Sequence, residues 1–129
     1  MYKLLLIAAG GSLGTVLRYL VAGWAQRIGP PTFPIGTMVV NVAGCMAIGV
    51  AGAVFAGPHS WREEWRIALM IGLLGGFTTF SSFSFETLEL ANEGEFLRAA
   101  LNVLLTNALC IGSAWIGYRL TQHLVGAQL

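Results

Sequence analysis

The stretch PIGTMVVNVAGCMAIGVAGAVFA, residues 34–56, holds no charged side chain, and its polarity is concentrated in Thr37 and Asn41. About 20 such residues in a helix suffice to cross roughly 30 Å of hydrocarbon. Working outward, the rest of the chain repeats this pattern. Charges gather early at Lys3, Arg18 and Arg27, then at 62–66, at 86–98 and at Arg119, and the intervals between them are apolar. This rhythm predicts four transmembrane helices, at about residues 4–24, 34–56, 67–90 and 96–120, in a single transmembrane domain covering 1–129. A composition of 56% hydrophobic and 10% charged residues excludes an ordinary water-soluble domain, so the fold class is all-α integral membrane with the lipid bilayer as solvent.

The connections are short. Gly29-Pro30-Pro31-Thr32-Phe33-Pro34, Gly57-Pro58-His59-Ser60 and Asn92-Glu93-Gly94-Glu95 read as turns, which makes sequence neighbours antiparallel neighbours in the membrane. The opening Met1-Tyr2-Lys3 followed by Leu4 to Ala9 has the outline of a signal peptide, but the apolar pattern runs on to Trp24 and suits a retained first span. Trp24, Trp61, Trp65 and Tyr118 read as interfacial anchors. Glycines at helical spacing (Gly10 and Gly14; Gly36, Gly44, Gly49 and Gly52; Gly112 and Gly117) predict faces where helix backbones approach closely. Cys45 and Cys110 both fall inside spans and read as small apolar fillers.

Charge placement excludes one partner and points to another. A net charge of +1 with no basic stripe argues against nucleic acid. With four spans, Lys3, Arg62, Arg66 and Arg119 fall on one side of the membrane and Arg18, Arg27 and Arg98 on the other, so the positive-inside bias is close to nil. A chain so balanced can insert both ways, which leads to an antiparallel homodimer in which a second copy supplies walls that four helices alone lack.

Gly75-Gly76-Phe77-Thr78-Thr79-Phe80-Ser81-Ser82-Phe83-Ser84 is poor membrane helix: paired glycines, β-branched threonines and hydroxyls that compete for backbone hydrogen bonds. It is read either as a third helix broken mid-membrane, with carbonyls freed for a cation, or as an intact helix bonding to its neighbours through Ser and Thr. Phe80 and Phe83 share a helix face with Glu86 and Thr87; their positive ring edges suit an anion, and ordinary packing is the bland alternative. Thr37, Asn41 and Gly44 form a polar stripe on the second span, where the Asn41 amide either donates to an anion or joins two helices. Asn102, Thr106, Cys110, Ser113 and Gly117 form another on the fourth, an uncharged track suited to a small anion. Arg18 either snorkels to the interface or faces an aqueous vestibule, and Glu86 is the only acid beside an embedded segment.

These motifs together resemble the Fluc (CrcB) fluoride channel family. Carrying the resemblance are Gly10-Gly11-Ser12-Leu13-Gly14 with Arg18-Tyr19, Gly36-Thr37 with Val40-Asn41, and the string from Gly75 to Ser84. The resemblance covers nearly the whole chain. It implies a passive, non-enzymatic channel in the bacterial inner membrane that exports fluoride from the cytoplasm and so relieves its toxicity, built as a dual-topology antiparallel homodimer with two pores. It further implies a structural sodium ion at the dimer centre, held by backbone carbonyls of Gly75 and Thr78. The implied fluoride pore is lined by Asn41, Thr79, Phe80, Ser82, Phe83, Glu86, Asn102, Thr106 and Cys110, with Arg18 in the vestibule. The chain departs from the family pattern at Ser82, where threonine is common, and at Cys110, where serine is often found.

Two other classes compete. A small multidrug-resistance-type proton-coupled exporter has similar size and span number, but it needs a titratable acid deep in the membrane and the first span has none. A non-transporting assembly factor leaves the polar stripes unexplained.

Overall fold

The computed structural model describes residues 1–57 and 62–126; most of the turn expected at 57–60, and the anchor expected at Trp61, lie outside them. Among the described residues all regular structure is helical: α1 (Tyr2–Ile28), α2 (Ile35–Ala56), α3 (Glu63–Arg66), a π-helical segment (Ile67–Leu74), α4 (Gly75–Phe77), α5 (Phe80–Asn92) and α6 (Phe96–Gly126). Four runs are long and apolar enough to cross a membrane: Tyr2–Ile28, Ile35–Ala56, Glu63–Asn92 and Phe96–Gly126. The expected four spans are therefore present. Helix α1 extends past Trp24 and α6 past Leu120 because backbone hydrogen bonding continues beyond the uncharged interval, where water can serve polar side chains such as Arg27 and His123.

Two glycine seams hold the bundle together. In the first, α1 lies backbone to backbone against the third run. A β-carbon at Gly14 would strike the Leu73 carbonyl and the Phe77 amide, and one at Gly10 would press on the Ala68 carbonyl. Gly72 and Gly76 return the contact against Ile7, Gly10 and Gly11. In the second seam α2 meets α6, with Gly49 against Ala114 and Gly117 against Met46. Ser113 Oγ crosses the same seam to the Val42 carbonyl at 3.1 Å. Lipid gives no hydrophobic reason for helices to associate, so small residues that admit close van der Waals contact supply it.

The turns are built from specific bonds. Gln26 spans the first: its Nε2 donates to the Pro30 and Phe33 carbonyls at 3.3 and 3.0 Å, and its Oε1 accepts from the Gly36 amide at 3.0 Å. That last bond satisfies one of the orphan N–H groups at the start of α2. At the third turn Gly94 takes φ +80°, and Glu95 N–H returns to the Leu90 carbonyl at 2.8 Å, the six-to-one bond of a Schellman cap. Lys3 pairs with Glu63 at 3.0 Å, so α1 and α3 start at the same end of the bundle.

Two sequence expectations need correction. A β-carbon at Gly112 would meet nothing within 4 Å, so within the chain it is not a close-approach site, whereas Gly11 in the first span and Gly72 and Gly76 in the third are contact residues that the spacing did not select. Tyr118 is not at a helix end: α6 continues to Gly126, and the Tyr118 ring lies over Gly52 of α2. Trp24 and Trp65 are exposed, at 61% and 62%.

Gly14→Val should lower stability by about 1–3 kcal/mol or more, since backbone on both sides leaves no room for repacking. Gly112→Ala should fall within about 0.5 kcal/mol of the parent. Unfolding of the detergent-solubilised protein, followed by circular dichroism, measures both.

Candidate functional site

The site is organised around an interruption of the third run. Helix α4 ends at Phe77; Thr78 (φ −85°, ψ 157°) and Thr79 (φ −151°, ψ 113°) are extended; α5 starts at Phe80. Thr78 closes the upstream helix, its amide and its Oγ1 both donating to the Leu74 carbonyl at 3.0 Å. Thr79 opens the downstream one as N-cap, its Oγ1 accepting from the Ser82 amide at 3.1 Å. The same oxygen reaches the Ser81 and Ser82 hydroxyls at 3.1 Å.

Between these two caps the peptide of Thr79 would be stranded, and Asn41 of α2 takes it. Asn41 Oδ1 accepts from Thr79 N–H at 2.8 Å while Asn41 Nδ2 donates to the Thr79 carbonyl at 2.9 Å, with both residues buried. The side-chain amide thus acts as a short strand against one extended residue. A carboxamide nitrogen carries two N–H groups, so this pairing leaves the second one to donate elsewhere. In a continuous helix Thr79 N–H would donate to the Gly75 carbonyl; here it does not, and Gly75 is exposed.

Two grooves flank this pair, and Thr79 lines both. The first, about 240 Å³, lies between α2, the interruption and α6, and brings together Asn41, Thr78, Thr79, Phe80, Phe83, Thr106 and Cys110 with Gly44, Cys45, Ile48 and Asn107. No charged residue lines it. Phe80 and Phe83 touch, with ring centroids 5.2 Å apart and planes tilted by 51°. Their burial is opposite: Phe83 is 6% exposed and Phe80 74%. The second groove, about 440 Å³, gathers Arg18, Tyr19, Thr37 and Ser82 on the α1 side.

The remaining predicted residues separate from the grooves. Glu86 accepts a hydrogen bond from Thr37 Oγ1 at 2.6 Å, while its Oε2 is buried without a hydrogen-bond partner among the described residues. Asn102, 1% exposed, is tied into a buried chain: Nδ2 donates to Thr87 Oγ1 at 2.9 Å and Oδ1 accepts from Thr106 Oγ1 at 3.2 Å. It therefore stands behind the groove wall and positions Thr106, which does line it. Cys45, Ile48 and Asn107 were missed. The signal for the first two was present: with Asn41 and Gly44 they occupy positions i, i+3, i+4 and i+7, so the stripe continues along one helix face.

Comparison with known proteins identifies the family. The family model described as "CrcB-like protein, Camphor Resistance (CrcB)" matches residues 5–118. The chain belongs to the CrcB-like family. Among curated relatives, a protein of Geobacter metallireducens named "Fluoride-specific ion channel FluC" is 43% identical over 124 residues, covering 96% of this chain and 100% of that protein. Its namesake in Solibacter usitatus is 46% identical over 122 residues, covering 94% and 99%, and that of Geobacter sulfurreducens is 44% identical over 124, covering 96% and 100%. This CrcB-like chain is accordingly a multi-pass membrane protein of an ion-channel family rather than an enzyme family.

Replacing Asn41 by Ala leaves the amide and carbonyl of Thr79 buried and unpaired, which should cost about 2 kcal/mol or more. Asn107→Ala removes an exposed side chain bonded to the Val103 carbonyl of its own helix, and should cost less than about 0.5 kcal/mol. Thermal unfolding in detergent ranks the two; equal losses would show that the Asn41 clasp does not hold the interruption.

Proposed function

We propose that this protein is a passive fluoride-selective channel that lets fluoride leave the cytoplasm of a bacterial cell across the inner membrane. The observation that carries the reading is the uncharged groove beside the interruption, in a chain whose relatives bear the name of a fluoride channel. A small anion entering bilayer depth must shed water, and something must replace that water without trapping the ion. Neutral donors meet the need: the second N–H of Asn41, the Thr106 hydroxyl, the Cys110 thiol and the Asn107 amide. The rings of Phe80 and Phe83 add positive edges and exclude water. Arg18, in the adjoining groove, raises the local anion concentration from a position that does not line the narrow groove. Thr79, Ser82 and Glu86 extend the path on that side, and Asn102 acts through Thr106.

The working unit in this proposal is an antiparallel dual-topology homodimer. Supporting it are the near-balanced distribution of seven Lys and Arg, and an α1 span only 6% buried within one chain. Phe80, with most of its ring exposed, has room to meet a second copy and complete a pore from both chains. The chain also fits a structural sodium ion at the dimer centre. Carbonyl oxygens are hard donors suited to it, and the exposed Gly75 carbonyl lacks its α-helical donor. Gly75 and Thr78, from both copies, would hold the ion at mid-membrane, where it would lock the two interruptions together. The proton-coupled exporter draws no support from these relatives, and α1 and α2 carry no Asp or Glu.

Purified protein reconstituted in liposomes should release fluoride, read by a fluoride electrode, and retain chloride. No fluoride release from correctly folded protein would sink the channel reading. Phe80→Ile combined with Phe83→Ile should cut the flux about tenfold or more while the dimer survives size-exclusion chromatography; parental flux would remove the rings from the mechanism. Stripping sodium should abolish flux, and indifference to sodium would overturn the central cation.

A further inference from the structure

The groove holds a second thiol, Cys45, that the conduction path does not use, beside Cys110, which lines that path. Cys45 on α2 and Cys110 on α6 are both free thiols, both half-buried, and both line the same cavity of about 240 Å³. The second glycine seam dictates their approach. Gly49 of α2 stands against Ala114 of α6, the Val42–Ser113 and Met46–Gly117 contacts show the two helices running in the same direction, and Cys45 and Cys110 lie one turn before Gly49 and Ala114 respectively.

We propose that Cys45 and Cys110 form a two-sulfur binding site for soft, two-coordinate metal cations of the Hg(II) or Ag(I) class, and that occupation of this site plugs the groove. The donor set selects the class. Zinc requires four ligands in tetrahedral array, and among the described residues no group of three His, Cys, Asp or Glu side chains stands together. Two opposed thiolates with only neutral hydroxyl, amide and aromatic neighbours suit an ion content with linear coordination by sulfur. The reaction balances without redox change. Hg(II) enters as neutral HgCl2, forms two Hg–S bonds, and two chlorides and two thiol protons leave. The bound ion then sits between α2 and α6 beside Asn41 and Phe83, in the space the channel reading assigns to fluoride. The plugging half rests on that reading; the binding half does not.

The test uses the full-length protein, reduced and then freed of reductant. Hg(II) added as the chloride should bind at one ion per chain with release of two protons, read by ultraviolet sulfur-to-mercury absorption and by an unbuffered pH trace. Chelation makes the second Hg–S bond intramolecular, so the parent should withstand about 100-fold more competing 2-mercaptoethanol than Cys45→Ser, Cys45→Ala or Cys110→Ser. Size-exclusion chromatography confirms that each variant is folded. Two ions per chain, or displacement from the parent as easy as from the single-cysteine variants, overturns the site. Fluoride flux in liposomes is then compared with and without Hg(II) for each protein against itself. Near-complete block of the parent, with Cys45→Ser resistant after a monothiol wash, supports the plug. Chelation without any loss of flux overturns the plug while leaving the metal site. Absence of flux from untreated protein instead defeats the channel reading, with the binding result still standing on its own.

Discussion

A single buried amide decides whether the third helical run can be interrupted. An extended residue inside an apolar bundle leaves a backbone donor and acceptor without partners, and nothing in hydrocarbon will serve them. Asn41 serves both at once, at 2.8 and 2.9 Å. Much follows from that pair. Thr79 is held at the junction of two grooves, α5 receives its N-cap, and the Gly75 carbonyl is relieved of its helical donor. The pair also fixes α2 relative to α5, which brings Thr37 within 2.6 Å of Glu86 although 49 positions separate them.

What the sequence made legible was set by length and charge. The four spans follow from uncharged intervals long enough to cross a bilayer, and no tertiary contact is needed to see them. Residue roles along a helix were partly legible, because periodicity places Asn41, Thr106 and Cys110 on inward stripes. Periodicity cannot say what lies opposite. Gly112 and Gly117 look alike in sequence, yet only Gly117 meets Met46. Asn102 and Thr106 belong to one stripe, yet Asn102 turns behind the wall to Thr87. For Asn41 the residue pattern left two uses open, anion donor and helix joiner. Its amide is spent chiefly on joining, with one N–H left over.

Polar groups in this bundle are satisfied with little help from charge. Hydroxyls of Ser12, Ser84 and Thr121 donate to carbonyls four residues back, which quiets them without recruiting a neighbour. The ion pairs found among the described residues, such as Lys3 with Glu63, are exposed or partly exposed and contribute little to stability. The first groove can therefore be polar and neutral together, a combination that offers an anion hydrogen bonds but no fixed countercharge.

The first glycine seam has a consequence for biogenesis. Helix α1 packs more heavily against residues 67–77 than against α2, which it meets at Ala22 with Gly36 and through the Gln26 bonds. During synthesis the small-residue face of α1 thus has no mate until the third run leaves the ribosome. The leading hairpin must settle in lipid before its packing energy exists. Whatever orientation it adopts is chosen by a handful of loop charges and by the timing of insertion, and the later seam can only ratify that choice.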